Sequence, residues 1–280
     1  MNNRSVIAII GAGPAGLHCA AALAARGFDL AQLRIFDKSR SIGGRLASRR
    51  RPGFEWHHGA PNAVLEQDQT VSIRSYRAGL KAASRTLPIR FASELRTVRP
   101  GTASGATWAL DFGDGSSAEC DTLLFCLPAP QVVSILSASG EVPLPGITAA
   151  SYEPRFSLLL GLRRPLHAAP TLPFPFVDQS IGADGRSIVL HASRRWSEAH
   201  LPTPRSTVQL QLLARVPRTL KECGLLRVML HRWRYGLVAE PAGTPCLWDP
   251  RRRLGAAGDW CHGRTVGAAI ESGISLATKV

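Results

Sequence analysis

The sequence lacks the patterns that would make a metal site or a membrane its organising feature. Its six cysteines form no CxxC pair and show no metal-ligand spacing; they are Cys19, Cys120, Cys126, Cys223, Cys246 and Cys261. This favours reduced thiols and a cytoplasmic protein. No apolar run reaches membrane-spanning length, and the first strand begins too early to leave room for a signal peptide. We therefore expect no membrane partner and no metal.

Acidic residues are also scarce, since 20 Asp and Glu stand against 34 Lys and Arg, for a net charge of +14. This excess suits anionic ligands such as dinucleotides. Except for residues 49–51 and 251–253 the arginines are scattered, and arginine far outnumbers lysine, as biased base composition would produce. We therefore expect no nucleic-acid partner. No Ser-His-Asp set or carboxylate pair stands out, and His57-His58 has no further ligand at metal spacing.

The stretch from Val6 to Leu17 organises the chain. An apolar run of strand type leads into Gly11, Gly13 and Gly16, and then into a helix that Pro14 and Ala15 open. Gly11 permits a tight turn, Gly13 lets a pyrophosphate approach the backbone, and Gly16 lets the helix pack closely on the strand. The phosphates would sit at the helix N-terminus, where free N–H groups favour anions.

An acidic residue follows the second strand at the spacing that a dinucleotide fold requires. Residues 33–36 read as this strand, and Asp37 ends it 21 residues after Gly16, where a ribose-binding carboxylate is expected. The alternative is an ordinary βαβ unit with a glycine-rich turn.

A second glycine loop, Gly43-Gly44-Arg45, lies shortly after Asp37. Gly44 would allow close backbone approach, and Arg45 could neutralise pyrophosphate charge. The pair of loops resembles the double fingerprint of FAD enzymes of the amine-oxidase type, which selects FAD over NAD. The alternative is a glycine loop with a surface arginine.

The middle of the chain predicts α/β structure that gives way to a mostly antiparallel sheet. We predict helices over 72–84 and 203–216, and strands over 88–98, 107–112, 119–127, 156–162, 174–178, 187–191 and 225–238. The predicted architecture is a Rossmann-like FAD-binding domain (1–62, 85–130 and 247–280) interleaved with a mostly antiparallel β substrate domain (63–84 and 131–246).

The C-terminal stretch returns to dinucleotide chemistry. A short strand ends at Gly258-Asp259, and a helix begins near Thr265 and Val266. Asp259 could accept hydrogen bonds from ribityl or ribose hydroxyls, and the helix N-terminus could face the flavin pyrimidine edge. The alternative for Asp259 is an N-cap-like turn residue.

Taken together, four stretches resemble the renalase-like branch of the FAD-dependent amine-oxidase superfamily. They are residues 11–17 with 37–39, 43–48, 191–197 with 231–235, and 258–268. The resemblance implies non-covalent FAD and a two-lobed fold of the hydroxybenzoate-hydroxylase kind. It also implies oxidation of reduced nicotinamide isomers or related dihydropyridines, with hydride passing to flavin and oxygen as the acceptor. The substrate would be a small molecule related to NAD(P)H.

The resemblance extends to individual residues. It implies that Lys38, His58, Gly59 and Ala60 join the cofactor site and that His58 and His231 are catalytic, although His231 is equally consistent with a histidine packed in a sheet. Arg232 and Arg234 alternate with aromatic residues in 231–235. The aromatic face would be core, and the arginines could meet a substrate phosphate.

Two departures from the family pattern keep other functions open. His57 and Pro61 flank His58-Gly59-Ala60 where the family has Asp and Gln, and the stretch between Asn62 and Ser72 is short for the family. The flavin environment and the substrate can therefore differ. The alternatives are an FAD-dependent amine oxidase and a flavin-binding protein without turnover. The sequence predicts no oligomeric state.

Overall fold

A computed structural model describes residues 5–60, 62–64, 70–101 and 107–280. Its strands within those ranges are β1 (Ile7–Ile10), β2 (Leu33–Phe36), β3 (Ser48–Arg51), β4 (Phe54–His57), β5 (Asn62–Val64), β6 (Thr70–Ser72), β7 (Ile89–Arg90), β8 (Leu95–Pro100), β9 (Trp108–Phe112), β10 (Ser117–Cys120), β11 (Thr122–Phe125), β12 (Ser151–Leu162), β13 (Phe176–Ile181), β14 (Ser187–Ala192), β15 (Leu225–Glu240), β16 (Leu247–Asp249) and β17 (Leu254–Ala256). Its α-helices are α1 (Pro14–Ala25), α2 (Ile73–Ala83), α3 (Ala129–Ala138), α4 (Arg194–Ala199), α5 (Arg205–Ala214), α6 (Arg218–Glu222) and α7 (Val266–Ala277), and short 3-10 helices occupy Leu30–Gln32, Ile147–Ala149 and Asp259–Cys261.

The chain divides into two compact units. Unit 1 comprises Met1–Gly44, Ala63–Ser151 and Val238–Val280, and unit 2 comprises Arg45–Asn62 and Tyr152–Leu237. The predicted FAD-binding domain includes 45–62, which the structure groups with unit 2. The predicted substrate domain includes 63–84, 131–151 and 238–246, which the structure groups with unit 1. Residues 45–62 belong to unit 2 because β4 pairs with β3 and packs on β14. The division into an FAD-binding and a substrate domain stays a prediction.

Unit 1 is built on a six-stranded sheet in the order β16-β17-β11-β1-β2-β7. The five strands from β17 to β7 run parallel, and β16 is an antiparallel edge. All four residues of β1 are buried, as the unbroken apolar run of a parallel strand covered on both faces requires. The Rossmann-like parallel sheet predicted from the sequence is therefore confirmed.

The segments that follow β1, β2, β11 and β17 all start at the same edge of this sheet. Ile10 is level with Phe36 on one side and with Phe125 on the other, and Phe125 is level with Ala256. The strand order also reverses at β1, because β2 lies on one side and β11 on the other. Ligands of open α/β sheets bind at the carboxyl ends of the strands at such a reversal.

The first and last helices pack against each other with almost no space between their backbones. A Cβ atom added to Gly273 of α7 would overlap the carbonyl of Ala15 in α1. The helix predicted from Pro14 is confirmed, and Gly27, at φ +96°, follows its end. The two ends of the chain thus meet in one packed layer of unit 1.

Two predicted strands are each divided in the structure. Residues 119–127 form β10, in an antiparallel sheet with β9 and β8, and then β11 in the parallel sheet. The break falls at Asp121, whose carboxylate accepts a hydrogen bond from the Val6 N–H at 2.6 Å. Residues 88–98 form β7 and β8, separated by Ala92 at φ +55°, which no strand residue adopts. The helix predicted over 72–84 is confirmed as α2, with Ser72 as its N-cap.

Unit 2 is built on a four-stranded sheet in the order β13-β14-β12-β15, with antiparallel pairing of β13 to β14 and of β14 to β12. The predicted strands and the helix over 203–216 are confirmed. Even-numbered residues of β12 and β14 face α5 and α6, where Phe156 packs with Val208. Odd-numbered residues face β4, where Leu159 packs with Trp56. Because side chains alternate along a strand, Ser157 and His191 lie on this second face, called the β4 face below.

No helix within the described ranges is both long and apolar enough to span a bilayer.

We predict that Gly273→Ala destabilises the protein, because a methyl group there meets the Ala15 backbone and the two helices must separate. Overpacking of this kind costs about 1–3 kcal/mol. Gly79→Ala is the matched control: Gly79 lies in α2 with no neighbour within 4 Å of an added Cβ, so the change should stabilise by roughly 0.5–1 kcal/mol. Urea unfolding of both variants measures the difference, and equal effects would contradict the packing.

Candidate functional site

The glycine turn after β1 is bonded to the end of β2. The Gly11 N–H donates to the Phe36 carbonyl at 2.8 Å, and the Ala12 N–H donates to Asp37 Oδ2 at 2.7 Å. Gly11 has φ +114°, a conformation that favours glycine. The turn is therefore fixed by its own backbone and by one carboxylate.

The second glycine loop docks on the first. The Gly43 N–H donates to the Ala12 carbonyl at 2.9 Å, and Gly43 and Gly44 both have positive φ, +112° and +54°. A Cβ added to Gly44 would lie 3.5 Å from the Cα of Gly13. The backbones of Gly13 and Gly44 thus face each other with no side chain between them; we call this the glycine gap.

The fold explains two of the three fingerprint glycines and leaves the third without an internal reason. A Cβ on Gly11 would overlap the Cys126 carbonyl, and one on Gly16 would overlap the Gly11 carbonyl. Gly13, by contrast, has φ −82°, and an added Cβ would meet nothing nearer than the Gly44 Cα at 3.9 Å. The protein itself would accept alanine at position 13, so the glycine leaves room for something else.

The space at Gly13 has the character of an anion site. Gly13 is the N-cap of α1, and no side chain caps the first turn; Pro14 occupies the first helical position. The N–H groups of Ala15 and Gly16, in the first turn that follows Gly13, therefore have no side-chain cap. Helix N-termini of this kind bind phosphate groups, and the residues present fit the pyrophosphate of a dinucleotide.

Asp37 lies at the same edge but is already engaged. Its Oδ2 accepts from Ala12, and its Oδ1 accepts from the Ser39 N–H at 2.7 Å and from the Ser39 hydroxyl. Each carboxylate oxygen has a second lone pair, so a ribose hydroxyl can still donate to it. Lys38 beside it is exposed. The ribose-binding role of Asp37 and the cofactor role of Lys38 stay predictions.

The structure places Asp259 and Val266 after β17, in the same unit. Asp259 is 7% exposed, and its Oδ1 accepts from the Trp260 N–H at 2.9 Å. Val266 begins α7, and the Thr265 hydroxyl caps that helix by accepting from the Ala268 N–H at 3.1 Å. The N-terminus of α7 is thus partly satisfied by its own cap, unlike that of α1.

In unit 2, residues 58–60 run beside residues 45–47. The Ala60 N–H donates to the Arg45 carbonyl at 3.0 Å, and the His58 N–H donates to that of Ala47 at 3.1 Å. Gly59 is required here because an added Cβ would overlap the Arg45 carbonyl. His57, which departs from the family pattern, has its Nδ1 2.6 Å from the Ser48 hydroxyl. Pro61, the second departure, lies outside the described residues.

The structure brings the two predicted catalytic histidines together. The rings of His58 and His231 lie 4.7 Å apart in an edge-to-face arrangement, and the Trp233 ring is 4.1 Å from His231 and 5.5 Å from His58. These three side chains, together with Ser157 and His191, are called the histidine cluster below.

Hydrogen bonds to one carbonyl hold the histidine cluster in place. The carbonyl of His58 accepts from Trp233 Nε1 at 2.9 Å and from the Ser157 hydroxyl at 3.3 Å. Ser157 Oγ is in turn 3.0 Å from His191 Nδ1. Ser157 and His191 are almost completely buried, so this series of hydrogen bonds supports His58 from the protein interior.

All three histidines are neutral at pH 7. Burial, followed by the charges of His231 and Arg49, lowers the pKa of His58 to about 3. Burial also lowers the pKa of His191 to about 4, although Asp178 opposes the shift. The pKa of His231 falls to about 4 through burial and the charges of Arg49 and Arg205. Buried imidazoles near guanidinium groups resist protonation for both reasons.

The sequence predictions did not include Ser157, and they assigned Trp233 to the core. The local sequence of β12 gives no signal for Ser157, because buried residues follow it on both faces of the strand, whereas counting along 231–235 places Trp233 on the same face as His231. Arg232, expected to meet a phosphate, donates to the Leu201 carbonyl at 3.0 Å, while Arg234 is exposed. No three His, Cys, Asp or Glu side chains of the described residues are grouped to hold a metal.

Comparison with known proteins supports the fold. Residues 9–78 match the family model of an NAD(P)-binding Rossmann-like domain. A CLA-producing fatty acid isomerase from P. acnes superposes with a TM-score of 0.69 at 12% identity, over 100% of this chain and 99% of that one. A proposed protoporphyrinogen oxidase from Exiguobacterium sp. 255-15 gives 0.66 at 13% identity, over 98% of each chain. The chain thus has a mixed α/β fold with a Rossmann-like parallel sheet and antiparallel sheets, as predicted.

We predict that the free energy of unfolding falls as the pH drops from about 6.5 towards 4. The unfolded histidines bind protons near pH 6.5, whereas the folded ones resist until about pH 3–4, so the unfolded state gains protons in this window. Each proton that the unfolded state binds in excess of the folded state lowers the free energy of unfolding by about 1.4 kcal/mol for every pH unit of acidification.

Urea unfolding at several pH values measures this slope. His231→Gln should reduce it by about one proton, and His167→Gln, at an exposed position, is the matched control that should leave it unchanged. Equal slopes for the two variants would contradict the burial of a neutral His231.

Proposed function

We propose that the chain is an FAD-dependent oxidoreductase that oxidises a reduced nicotinamide isomer or a related dihydropyridine, with oxygen as the final acceptor. The observation that carries the proposal is the glycine gap. Gly13 and Gly44 keep side chains out of a space beside the uncapped first turn of α1, at the edge of the sheet where dinucleotides bind. Neither the packing nor the backbone angle of Gly13 requires a glycine.

The residues of unit 1 would hold the dinucleotide as follows. The N–H groups of Ala15 and Gly16 bind the pyrophosphate, with Gly13 and Gly44 permitting its approach. The remaining lone pairs of Asp37 accept from a ribose hydroxyl. Bound FAD supplies a hydride acceptor.

The second loop favours FAD over NAD. The single fingerprint turn of β1 would serve either dinucleotide. Here a further glycine loop is bonded to it through Gly43 and Ala12. This second contact matches the sequence resemblance to amine-oxidase-type flavoproteins. The oxidase named among the structural relatives agrees with redox chemistry on this fold.

The histidine cluster of unit 2 would recognise the substrate. Oxidation of a dihydropyridine by hydride loss needs no strong base, so neutral imidazoles suffice. His231 and Trp233 are partly exposed and can contact a ligand, while His58 is held beneath them through its carbonyl. Their work is to orient the substrate and exclude water.

The cofactor site is tested by Gly13→Ala. The methyl group enters the glycine gap, so we expect the affinity for FAD to fall at least about tenfold while the protein remains folded. The measurement is a titration of the apoprotein with FAD, followed by flavin fluorescence. Gly79→Ala serves as the control and should bind FAD like the wild type. Unchanged affinity in Gly13→Ala would contradict the assignment of the gap.

The reaction is tested by anaerobic mixing of the flavin-loaded protein with reduced nicotinamide isomers and, separately, with amines. We expect the former alone to bleach the flavin absorbance. His231→Phe should slow bleaching by at least about tenfold, because a hydrogen-bonding group at the substrate is lost; His167→Gln should not. Bleaching by amines alone would indicate an amine oxidase, and bleaching by neither a flavin-binding protein without turnover.

A further inference from the structure

Unmatched polar atoms are concentrated on one face of unit 2. Among the described residues, five buried side-chain atoms have no hydrogen-bond partner. Three of them belong to the histidine cluster or its neighbour on β12: His58 Nδ1, His191 Nε2 and Arg155 Nε. Arg155 and Ser157 are two residues apart on one strand, so both lie on the β4 face. Buried polar atoms are rarely left unmatched, so a patch of them indicates a missing partner.

The hydrogen bonds of Ser157 fix which nitrogen of His191 carries the proton. A carbonyl can only accept, so the bond from Ser157 Oγ to the His58 carbonyl uses the single hydroxyl hydrogen. His191 Nδ1, at 3.0 Å from the same oxygen, must then be the donor. A neutral imidazole has one N–H, and His191 Nε2 is therefore a bare acceptor. It is buried in a residue that is 3% exposed.

The missing partner must accordingly offer both a donor and an acceptor. His191 Nε2 requires an N–H or O–H group, whereas Arg155 Nε is a donor and requires an oxygen. His58 Nδ1 adds a third unmatched position. A carboxamide carries two N–H donors and one carbonyl oxygen, so it is an uncharged group that supplies both.

Charge disfavours the two simple ionic groups, an ammonium and a carboxylate. The charged groups that act on the cluster are Arg49 of β3, Arg155 of β12, Arg205 of α5 and, opposing them, Asp178 of β13. Three guanidinium groups against one carboxylate disfavour an ammonium group. A carboxylate would be attracted, but it has no hydrogen to give to His191 Nε2.

We propose that the β4 face of unit 2 binds an uncharged carboxamide of the substrate through His191 Nε2, His58 Nδ1 and Arg155 Nε. This deepens the proposed function, on which it rests, because a reduced nicotinamide carries such a group. His191 then contacts substrate directly, while Ser157 is a positioning residue that sets its tautomer.

The test is nuclear magnetic resonance of the full-length protein labelled with ¹⁵N in its histidines, with and without FAD. In the wild type we expect His191 to be protonated at Nδ1 and bare at Nε2. Three probes of one shape are then titrated: nicotinamide, 3-acetylpyridine, which keeps the oxygen but has no N–H, and nicotinate. Nicotinamide should shift the Nε2 resonance of His191, and the other two probes should bind at least about tenfold more weakly.

Two variants distinguish a direct contact between His191 and the ligand from a purely structural role of this residue. His191→Gln should weaken nicotinamide binding about tenfold, and His200→Gln is the matched control, since His200 Nδ1 lies 2.8 Å from the Trp196 carbonyl and outside the cluster. If His191→Gln does not fold, the tautomer of His191 and the three titrations of the wild type still test the proposal. A proton on Nε2, cluster resonances unmoved by nicotinamide, or equal affinity for the acceptor-only probes would each overturn the proposal.

The two proposals fail in different ways. A colourless protein whose His191 responds to nicotinamide would remove the flavin function and leave the carboxamide site. A flavoprotein that reduced nicotinamides bleach, with His191 unmoved, would remove the carboxamide site alone.

Discussion

The backbone of a single residue, Ala12, holds the dinucleotide edge of unit 1 together. Its N–H donates to the carboxylate of Asp37 at the end of β2, and its carbonyl accepts from Gly43 in the second glycine loop. The end of β2 and the second glycine loop are thus both bonded to this one residue, which lies at the switch point of the sheet. Because Ala12 is fully buried, these bonds are shielded from competing water. The glycine gap exists only because both loops are held at this distance.

In unit 2 a single backbone carbonyl, that of His58, likewise joins several segments. The His58 C=O accepts from Trp233 and from Ser157, and Ser157 in turn bonds His191. Such a network on a strand face is rigid when it is satisfied and costly where it is not. The even-numbered face of the same sheet carries an apolar core, whereas the β4 face combines an apolar cluster around Trp56 with buried polar atoms that have no hydrogen-bond partner among the described residues. Those unmatched atoms are the physical reason for treating this face as functional.

The parallel sheet, the first helix and the long strands of unit 2 could be predicted because each has a local cause: an unbroken apolar run, a glycine turn, or a period of two. Residues 88–98 could not be divided correctly, since the break depends on one positive φ at Ala92 and on partners from two different sheets. The division of the strand predicted over 119–127 escapes the sequence for a similar reason: the break at Asp121 depends on a bond to Val6, over a hundred residues away.

The candidate site shows the same contrast. Short motifs single out His58 and His231, and the structure places their rings 4.7 Å apart, which the sequence does not predict; their catalytic role stays a prediction. Ser157 lies within the apolar run 156–162 of β12, and nothing in its neighbours marks it; only the pairing of β12 with β14 sets it opposite His191. Side-chain alternation along a strand is a local property, whereas the residue across the sheet is set by the whole topology.

The proposed function requires one FAD bound by the residues of unit 1. The most direct measurement is the absorption spectrum and flavin content of the purified full-length protein, after incubation with excess FAD and removal of the unbound fraction. We expect an oxidised-flavin spectrum and about one FAD per chain, released intact on denaturation because no covalent bond holds it. A protein that remains colourless after this treatment would contradict the proposed function.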